Sequence, residues 1–343
     1  MVYCDHVSLV HTDPHRHLVA DSAQLLAALK AVAEDTRLRI VALLGHGELT
    51  VSDLVDVLGQ SQPRISRHLK VLLDADVIVR HREGSWAFFQ LVADGPIRRT
   101  IDDVIGRIDP ADAITGADLD RRAVVHRRRS DAAQAYFARI ADRWDEERSL
   151  HAADDVVEAA MVEIAGRSPY RRIVDLGTGT GRILHVLAAD PTTVDRAVGI
   201  DTSHSMLAVA RANLERAGVR HVELRQGDVL NPPLERDSFD LVVVHQVLHF
   251  LDEPDHAVRE AARLVAPGGR LLIVDFAPHA LEFLRTDHAH RRLGFREDTV
   301  TGWIEAVGLA VDEVRAIEPT PSDERDEHLT VTLWAASDRR GGR

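Results

Sequence analysis

The stretch RRIVDLGTGTGRIL, residues 171–184, decides how the second half of the chain folds. A run of apolar, mostly β-branched residues ends at Asp175, and Gly177, Gly179 and Gly181 then alternate with threonines. The run predicts a buried strand, and the glycines predict a tight turn into a helix. We expect glycine here because a Cβ would block the approach of a nucleotide-like ligand to the backbone. Since dinucleotide enzymes use a related loop, the turn alone does not identify that ligand.

Strands and helices alternate after this turn, which is the pattern of a doubly wound parallel sheet. The strand candidates are RIVDL, AVGID, VELRQGD, FDLVVV and RLLIVDF. Two more candidates, VDEVRAIEP and LTVTLWAAS, adjoin without a long helix, so we expect the sheet to end in an antiparallel hairpin. The predicted fold class is therefore α/β, Rossmann-like, with an antiparallel last strand. In such a sheet, ligands bind at the carboxyl ends of the strands.

Two further acidic residues stand where a nucleoside would be held. Asp201 ends the second strand candidate and is placed to accept hydrogen bonds from both ribose hydroxyls. Asp228 follows the third candidate, where an adenine amino group could donate to it. The ordered motifs IVDLGTGTGR, GIDTSHSML, RQGDV, FDLVVVHQVLHFL and LVAPGGRLLIVDF resemble the class I S-adenosylmethionine-dependent methyltransferases, above all the UbiE-like small-molecule branch. The resemblance covers roughly residues 165–337.

This resemblance implies S-adenosylmethionine or S-adenosylhomocysteine as the cofactor. It implies that the three glycines pack against the methionine part and that Asp175 helps to hold the ammonium group. Asp201 would hold the ribose, Asp228 the adenine, and Met206 would lie against the base. The predicted cofactor-binding residues are Asp175, Gly177, Thr178, Gly179, Gly181, Asp201, Thr202, Met206, Gly227, Asp228, Val229 and His245.

The catalytic residues are harder to place from sequence. Methyl transfer needs an aligned nucleophile and, for some acceptors, a base near neutral pH, which histidine supplies. The catalytic candidates are His245 and His249 at the ligand-facing end of the fourth strand and His288 after the fifth, with His279 and His290 nearby. Each could equally be a packing or surface histidine. No NPPY-type motif follows the fourth strand, and Cys4 is the only cysteine, so amide-modifying and arsenic methyltransferases are disfavoured.

The first hundred residues predict a winged helix-turn-helix domain. Helical segments are followed by SQPRISRHLKVL and then by the basic hairpin IVRHREGSWAFFQLV. In this motif the second helix enters the major groove of DNA, and the wing meets phosphates or the minor groove. Arginine and glutamine can form bidentate contacts with base edges. The predicted DNA-binding residues are Ser61, Gln62, Arg64, Ser66, Arg67, His68, Arg80 and Arg82, with His81 beside them in the wing.

Residues 22–105, which include ELTVSDLVDVLGQSQPRISRHLKVLLDADV, resemble the ArsR/SmtB family of dimeric repressors. Metal-sensing members carry two cysteines in the first motif, where this chain has Thr50 and Ser52. The last helix of the domain offers Asp102 and Asp103 but no histidine. No metal site is therefore expected. The resemblance implies a homodimer, formed by the first and last helices, that binds an inverted-repeat operator in double-stranded DNA.

Bulk properties set the domain plan. A chain of 343 residues favours roughly two domains. The net charge of −13 argues against indiscriminate nucleic-acid binding, so the local basic face is where a partner is expected. The lack of a secretion signal, of a membrane-spanning apolar run and of paired cysteines predicts a cytoplasmic protein without a membrane partner. The predicted plan is a flexible tail at 1–20, a winged helix-turn-helix domain at 21–108, a linker with connector helices at 109–166, and a methyltransferase domain at 167–338.

Two functions follow from this plan. The first is a DNA-binding transcriptional regulator whose second domain senses S-adenosylmethionine or S-adenosylhomocysteine, or methylates a small molecule. The alternative is primarily a small-molecule methyltransferase whose DNA-binding domain is autoregulatory or serves only in dimerisation. The methyl acceptor, the operator and the sign of regulation are not encoded in any recognisable motif.

Overall fold

The computed structural model describes residues 20–83, 86–92, 95–141, 154–190, 192–219, 221–318 and 329–341. Its residues form two compact units, the first up to His126 apart from the hairpin tip at 83–85, and the second from Arg127 onward. The tail predicted at 1–20 lies, except for Ala20, outside the described ranges. None of the helices in these ranges combines the length and apolar character needed to cross a bilayer.

The first unit is the predicted winged helix-turn-helix domain. Its three-stranded sheet has the order β1-β3-β2. Strand β1 has only two residues and pairs antiparallel with β3, Leu49 opposite Phe89. It was not predicted, because two residues carry no periodicity. The elements are α1 (Ser22–Val32), α2 (Asp35–Leu44), β1 (Leu49–Thr50), α3 (Val51–Leu58), α4 (Gln62–Asp74), β2 (Ile78–Glu83), β3 (Trp86–Leu91) and α5 (Pro96–Ile105).

Local sequence fixes the two central helices of this unit. Thr50 and Asp53 form a reciprocal capping box at the start of α3, with each side chain accepting from the other residue's backbone N–H. Gly59 ends α3 in the left-handed conformation, and Pro63 lies in the first turn of α4. Leu54 and Ile65 are fully buried between these helices and the sheet. Thr50, which replaces a metal-ligand cysteine of the resembled family, is therefore a buried helix cap.

A long helix, α6 (Ala113–Ile140), begins inside the segment predicted as a linker. Asp118 on this helix is buried and accepts two hydrogen bonds from Arg39 of α2, at 2.7 and 2.8 Å, and a third from Arg121. Val125 joins the apolar core of the first unit. Residues 113–126 of α6 thus pack within the first unit, whereas residues 127–140 belong to the second.

The second unit has the predicted doubly wound sheet. The strand order is β6-β5-β4-β7-β8-β10-β9, and β10 runs antiparallel to both of its neighbours, as expected for the final hairpin. The other neighbouring pairs are parallel. The elements are α7 (Asp154–Ala165), β4 (Arg172–Leu176), α8 (Arg182–Leu187), β5 (Arg196–Asp201), α9 (His204–Arg216), β6 (Val222–Gln226), β7 (Phe239–His245), α10 (Pro254–Leu264), β8 (Val265–Phe276), α11 (Phe283–Asp287), α12 (Glu297–Ala306), β9 (Ala310–Ile317) and β10 (Val331–Ser337).

Two apolar layers enclose this sheet. Val243 of β7 packs in the layer that includes α7 and α8, whereas Val242 and Val244 pack in the layer that includes α10 and α12. A central strand buried on both faces is a near-continuous apolar run, which is why FDLVVV was recognisable. Strand β4 pairs with β5 on one side and with β7 on the other, so the strand order reverses at β4. A crevice therefore opens at the carboxyl end of β4, where ligands bind in such sheets.

Candidate functional site

The glycine turn after β4 adopts a conformation that other residues rarely reach. Gly177, Gly179 and Gly181 have φ angles of +78°, +52° and +80°. A Cβ on Gly177 would lie 2.3 Å from a methyl carbon of Val247, and one on Gly181 would lie 3.2 Å from Ala210. Backbone conformation therefore favours glycine at both positions, and at Gly177 a clash with Val247 adds to it. The approach of a ligand to this backbone, expected from the sequence, remains a prediction.

Replacing Gly177 with alanine is expected to destabilise the second unit more than the same change at Gly218. Both glycines have left-handed φ angles, +78° and +76°, but nothing lies within 4 Å of a Cβ on Gly218. Gly218→Ala should therefore lose only the conformational cost of about 1–2 kcal/mol. Gly177→Ala adds a clash with Val247, about 1–3 kcal/mol more. Urea unfolding of the ligand-free variants measures both, and equal losses would show that Val247 yields without cost.

Asp201, at the end of β5, is hydrogen bonded to the glycine turn. Its Oδ2 accepts the N–H of Gly179 at 2.9 Å, and its Oδ1 accepts the N–H of Ser203 at 2.8 Å. Burial raises the pKa of Asp201, and the backbone N–H donors only partly offset this. An ionised carboxylate has about four acceptor sites, so acceptor capacity remains for ribose hydroxyls.

The other predicted cofactor residues gather at the same edge of the sheet. Asp175 is buried near the end of β4, and Asp228 is exposed after β6, where it accepts the N–H of Leu230 at 2.9 Å. Met206, on α9, is 2% exposed, and Ser203 caps its N–H. Thr202, Gly227 and Val229 follow the ends of β5 and β6, and Thr178 lies in the glycine turn.

A buried histidine–aspartate pair joins the segment after β7 to the last residues of β8. His249 Nδ1 lies 2.7 Å from Asp275 Oδ1, and the two side chains are 2% and 0% exposed. Asp275 also accepts the backbone N–H groups of Phe276 and His249, at 2.8 and 3.3 Å. An ionised carboxylate only accepts hydrogen bonds, so we infer that the Nδ1 of His249 carries the proton. The lone pair of Nε2 is then available to take a proton from an acceptor.

Aromatic and imidazole rings surround this pair. The ring centroid of His249 lies 4.0 Å from that of Phe250, 4.2 Å from that of His290 and 5.0 Å from that of Phe276. Phe137 of α6 packs edge-on against Phe250 at 4.8 Å. The carbonyl of His249 accepts the backbone N–H groups of residues 291 and 292. These contacts hold the imidazole ring in one orientation.

The three catalytic candidates occupy different environments. His245 ends β7 and is 8% exposed. His288 Nδ1 lies 2.9 Å from the Tyr136 hydroxyl of α6, so that ring is engaged by a phenol. The ring of His249 is oriented by the carboxylate of Asp275. Neither Asp275 nor Tyr136 was predicted as a site residue, although Asp275 lies near the end of an apolar strand as Asp175 does.

Seven of the eight predicted DNA-binding residues are exposed in the first unit, and His68 is half-buried. Ser61, Gln62, Arg64, Ser66 and Arg67 are exposed at the start of α4, and Arg80 and Arg82 are exposed in β2. Two histidines of this region are engaged differently: His68 lies 3.4 Å from Glu34, and His81 lies 3.2 Å from Glu48. Burial lowers the pKa of His81. No carboxylate within the described part of the chain pairs with the four arginines, Arg64, Arg67, Arg80 and Arg82.

Comparisons with known proteins match both units. Residues 174–273 match the model of a methyltransferase domain, and residues 34–79 match the model of bacterial regulatory proteins of the arsR family. The uncharacterized methyltransferase YcgJ of Bacillus subtilis is 30% identical over 143 residues, 41% of this chain and 54% of that protein. The ubiquinone/menaquinone biosynthesis C-methyltransferase UbiE of Vibrio parahaemolyticus is 33% identical over 122 residues, 35% of this chain and 47% of that protein. An arsenite methyltransferase of Aquipseudomonas alcaligenes is 37% identical over 111 residues, 30% of this chain and 32% of that protein.

These matches span between a third and about half of the relatives' lengths. They show an ArsR-type helix-turn-helix domain and a methyltransferase domain joined on one chain. The methyltransferase match indicates that this domain binds S-adenosylmethionine or its product S-adenosylhomocysteine. The exposed basic face on α4 lies within the residues matched by the arsR model.

Proposed function

We propose that the protein is a DNA-binding transcriptional regulator whose second unit transfers a methyl group from S-adenosylmethionine to a small molecule, with His249 as the general base. The buried pair of His249 and Asp275 carries this proposal. A cofactor-sensing domain has no need of an imidazole fixed in the tautomer that accepts a proton. Such pairs contribute to catalysis by orienting the base and by stabilising its protonated form.

The residues at the strand ends fit the cofactor. Asp201 retains acceptor capacity beside the glycine turn, and the buried hydroxyl of Thr178 has no hydrogen-bond partner among the described residues. Asp175 would hold the ammonium group and Asp228 the adenine, as the resemblance implies. We assign the same binding surface to Thr202, Met206, Gly227, Val229 and His245, together with the three glycines.

The chemistry requires an acceptor that loses a proton from an O–H, N–H or acidic C–H group. Bound S-adenosylmethionine supplies a methyl group already activated by its sulfonium. His249 Nε2 would remove the acceptor proton as the acceptor atom bonds to the methyl carbon and the carbon–sulfur bond breaks, leaving S-adenosylhomocysteine. Asp275 would stabilise the imidazolium that results. Arsenite is disfavoured as the acceptor, because the chain has one cysteine and arsenic binding favours several thiolates.

The first unit supports the regulatory half of the proposal. We infer that α4 enters the major groove and that the wing contacts the backbone, in a homodimer on an inverted repeat. Such a protein would act in the cytoplasm. Helix α6 gives residues 113–126 to the first unit and residues 127–140 to the second, so ligand binding has a covalent route to the DNA-binding unit. We propose that cofactor binding changes operator affinity through this connector.

Operator affinity should change in the presence of S-adenosylmethionine or S-adenosylhomocysteine. The operator is first selected from random duplexes with the full-length protein, and affinity is then measured with each ligand at saturation and without it. Binding should weaken steeply with salt, because Arg64, Arg67, Arg80 and Arg82 would displace counterions. Arg64→Ala should relax base preference at one position, costing about 1–3 kcal/mol there.

Each outcome of this experiment has a separate meaning. Unchanged affinity with both ligands would contradict the coupling and leave DNA binding intact. Failure to select any duplex would contradict the regulatory function itself and favour a first unit that serves only in dimerisation.

A further inference from the structure

Helix α6 is held by side-chain contacts in its first half. Asp118, which is 2% exposed, accepts hydrogen bonds from Nε and Nη2 of Arg39 in α2, at 2.7 and 2.8 Å. Arg121 also donates to this carboxylate, and its Nε donates to the carbonyl of Val57 in α3 at 2.6 Å. Helix α3 leads through the turn at Gly59 into α4. The first half of α6 is therefore bound to the two helices that precede α4.

The last turns of α6 contact rings of the second unit. The Phe137 ring packs edge-on against that of Phe250, with 4.8 Å between the centroids, and the Tyr136 hydroxyl lies 2.9 Å from His288 Nδ1. Both partners lie in segments that follow strands of the sheet, Phe250 after β7 and His288 after β8. One continuous helix therefore contacts α2 and α3 near its start and the segments after β7 and β8 near its end.

Phe250 is connected to the glycine turn through Val247. The Val247 side chain packs against Gly177 so closely that a Cβ there would lie 2.3 Å from one of its methyl carbons. The N–H of Phe250 donates to the carbonyl of Val247 at 3.0 Å, which closes a tight turn between the two residues. Because protein interiors contain few voids, a shift of Gly177 on ligand binding must move Val247. The tight turn would pass this movement to Phe250, and Phe250 would pass it to the ring of Phe137.

We propose that Phe137 is a positioning residue through which ligand binding at the glycine turn changes the first unit. Cofactor binding moves Val247 and with it Phe250, whose ring displaces Phe137. Helix α6 carries the displacement to Asp118, which passes it to α2 and α3 and so changes the orientation of α4. A helix can do this because its regular backbone hydrogen bonds make it a rigid element. The inference rests on the proposed coupling between cofactor binding and operator affinity, and it assigns that coupling to named contacts.

The test measures how strongly the two ligands affect each other in the full-length protein. The coupling factor is the fold-change in the operator dissociation constant on adding saturating S-adenosylhomocysteine, typically about 5–150 in coupled proteins. Phe137→Leu keeps an apolar side chain and removes the edge-on ring contact. We expect it to lower the coupling factor to below about two. The calorimetric affinity for S-adenosylhomocysteine without DNA, and the operator affinity without ligand, should each stay within about threefold. A residue with only a structural role would change stability but not the coupling factor.

Two further variants interrupt the same route at other points. Arg39→Lys keeps the charge but cannot form both hydrogen bonds to Asp118, so it should also lower the coupling factor. Insertion of two glycines after residue 126, where the two units divide, interrupts α6 and should abolish the coupling. Phe283→Leu is the matched control, because its ring contacts that of His288, with centroids 5.9 Å apart, from α11 rather than from α6. It should keep the coupling factor of the unmodified protein.

Several results would overturn the inference. An unchanged coupling factor in Phe137→Leu, or after the glycine insertion, would show that the change reaches α4 by another route. Loss of S-adenosylhomocysteine binding in Phe137→Leu would also overturn it, because Phe137 would then belong to the ligand site. If the unmodified protein binds both ligands without coupling, the proposed coupling itself fails; if it couples them and the variants couple them equally, only this inference does.

Discussion

Replacement of His249 by asparagine is expected to lower kcat about a thousandfold while leaving the affinity for S-adenosylhomocysteine within twofold. The asparagine Nδ2 can occupy the place of the imidazole Nδ1 and still donate to Asp275. The variant therefore keeps the buried carboxylate paired and removes only the atom that accepts the proton. Loss of a general base typically costs a factor of about 10²–10⁴. The measurement is release of S-adenosylhomocysteine with acceptors drawn from a panel of small hydroxyl and amino compounds.

His256→Asn is the matched control for this experiment. His256 lies on α10, is 37% exposed and has its Nδ1 3.6 Å from Glu253 Oε2, outside the ring cluster of His249. It should keep the turnover of the unmodified protein. Equal turnover in both variants would move the base elsewhere, with His288 and His245 as the remaining candidates. Absence of turnover in the unmodified protein across the panel, with cofactor binding intact, would leave the sensing function alone.

Strand β7 was predictable from the sequence, whereas the side-chain contacts beside its end were not. The strand itself was predictable, because a centrally buried parallel strand is a continuous apolar run bounded by polar residues. The pair formed by His249 and Asp275 was not, since the two residues are 26 positions apart and meet only because β7 and β8 are paired in parallel. The left-handed φ angle of +52° at Gln246 was not predictable either, because a glutamine gives no sequence signal for that conformation. Short-range patterns therefore predicted the elements, whereas side-chain pairs that depend on strand register required the structure.

The glycine turn likewise has one feature that was predictable from sequence and one that was not. Its place between a strand and a helix was predictable from the alternation of glycine after an apolar run. The packing around Gly177 and Gly181 was not predictable, because the neighbouring side chains belong to other segments. Val247 follows β7, and Ala210 lies on α9. The start of α6 is a different case: Asp112 accepts the N–H of Thr115 at 2.8 Å and caps the helix, a local signal within the segment predicted as a linker.

Replacement of Asp201 by alanine is expected to weaken binding of S-adenosylhomocysteine at least a hundredfold. The carboxylate would accept both ribose hydroxyls while it holds the N–H groups of Gly179 and Ser203. Alanine removes the ligand contacts and leaves both backbone donors without their acceptor, and each lost charge-assisted hydrogen bond is worth about 1.5–3 kcal/mol. Asp201→Asn, which keeps one acceptor oxygen, should lose less, about tenfold. Asp298→Asn, an exposed carboxylate paired with Arg296, is the control and should bind as the unmodified protein does.

The pH dependence of binding separates the charge of Asp201 from its shape. Burial raises the pKa of this carboxyl in the ligand-free protein, so the protonated form persists above the ordinary aspartate value of about 3.9. Ribose hydroxyls donate to the ionised form, so binding must release the proton, and affinity should fall as the pH falls toward and below this raised pKa. For the ligand-free protein the sign is opposite: a raised acid pKa favours folding at low pH, and that contribution is lost as the pH rises through it. Asp201→Asn should flatten the affinity profile, whereas an unchanged acid decline in that variant would assign the decline to another group.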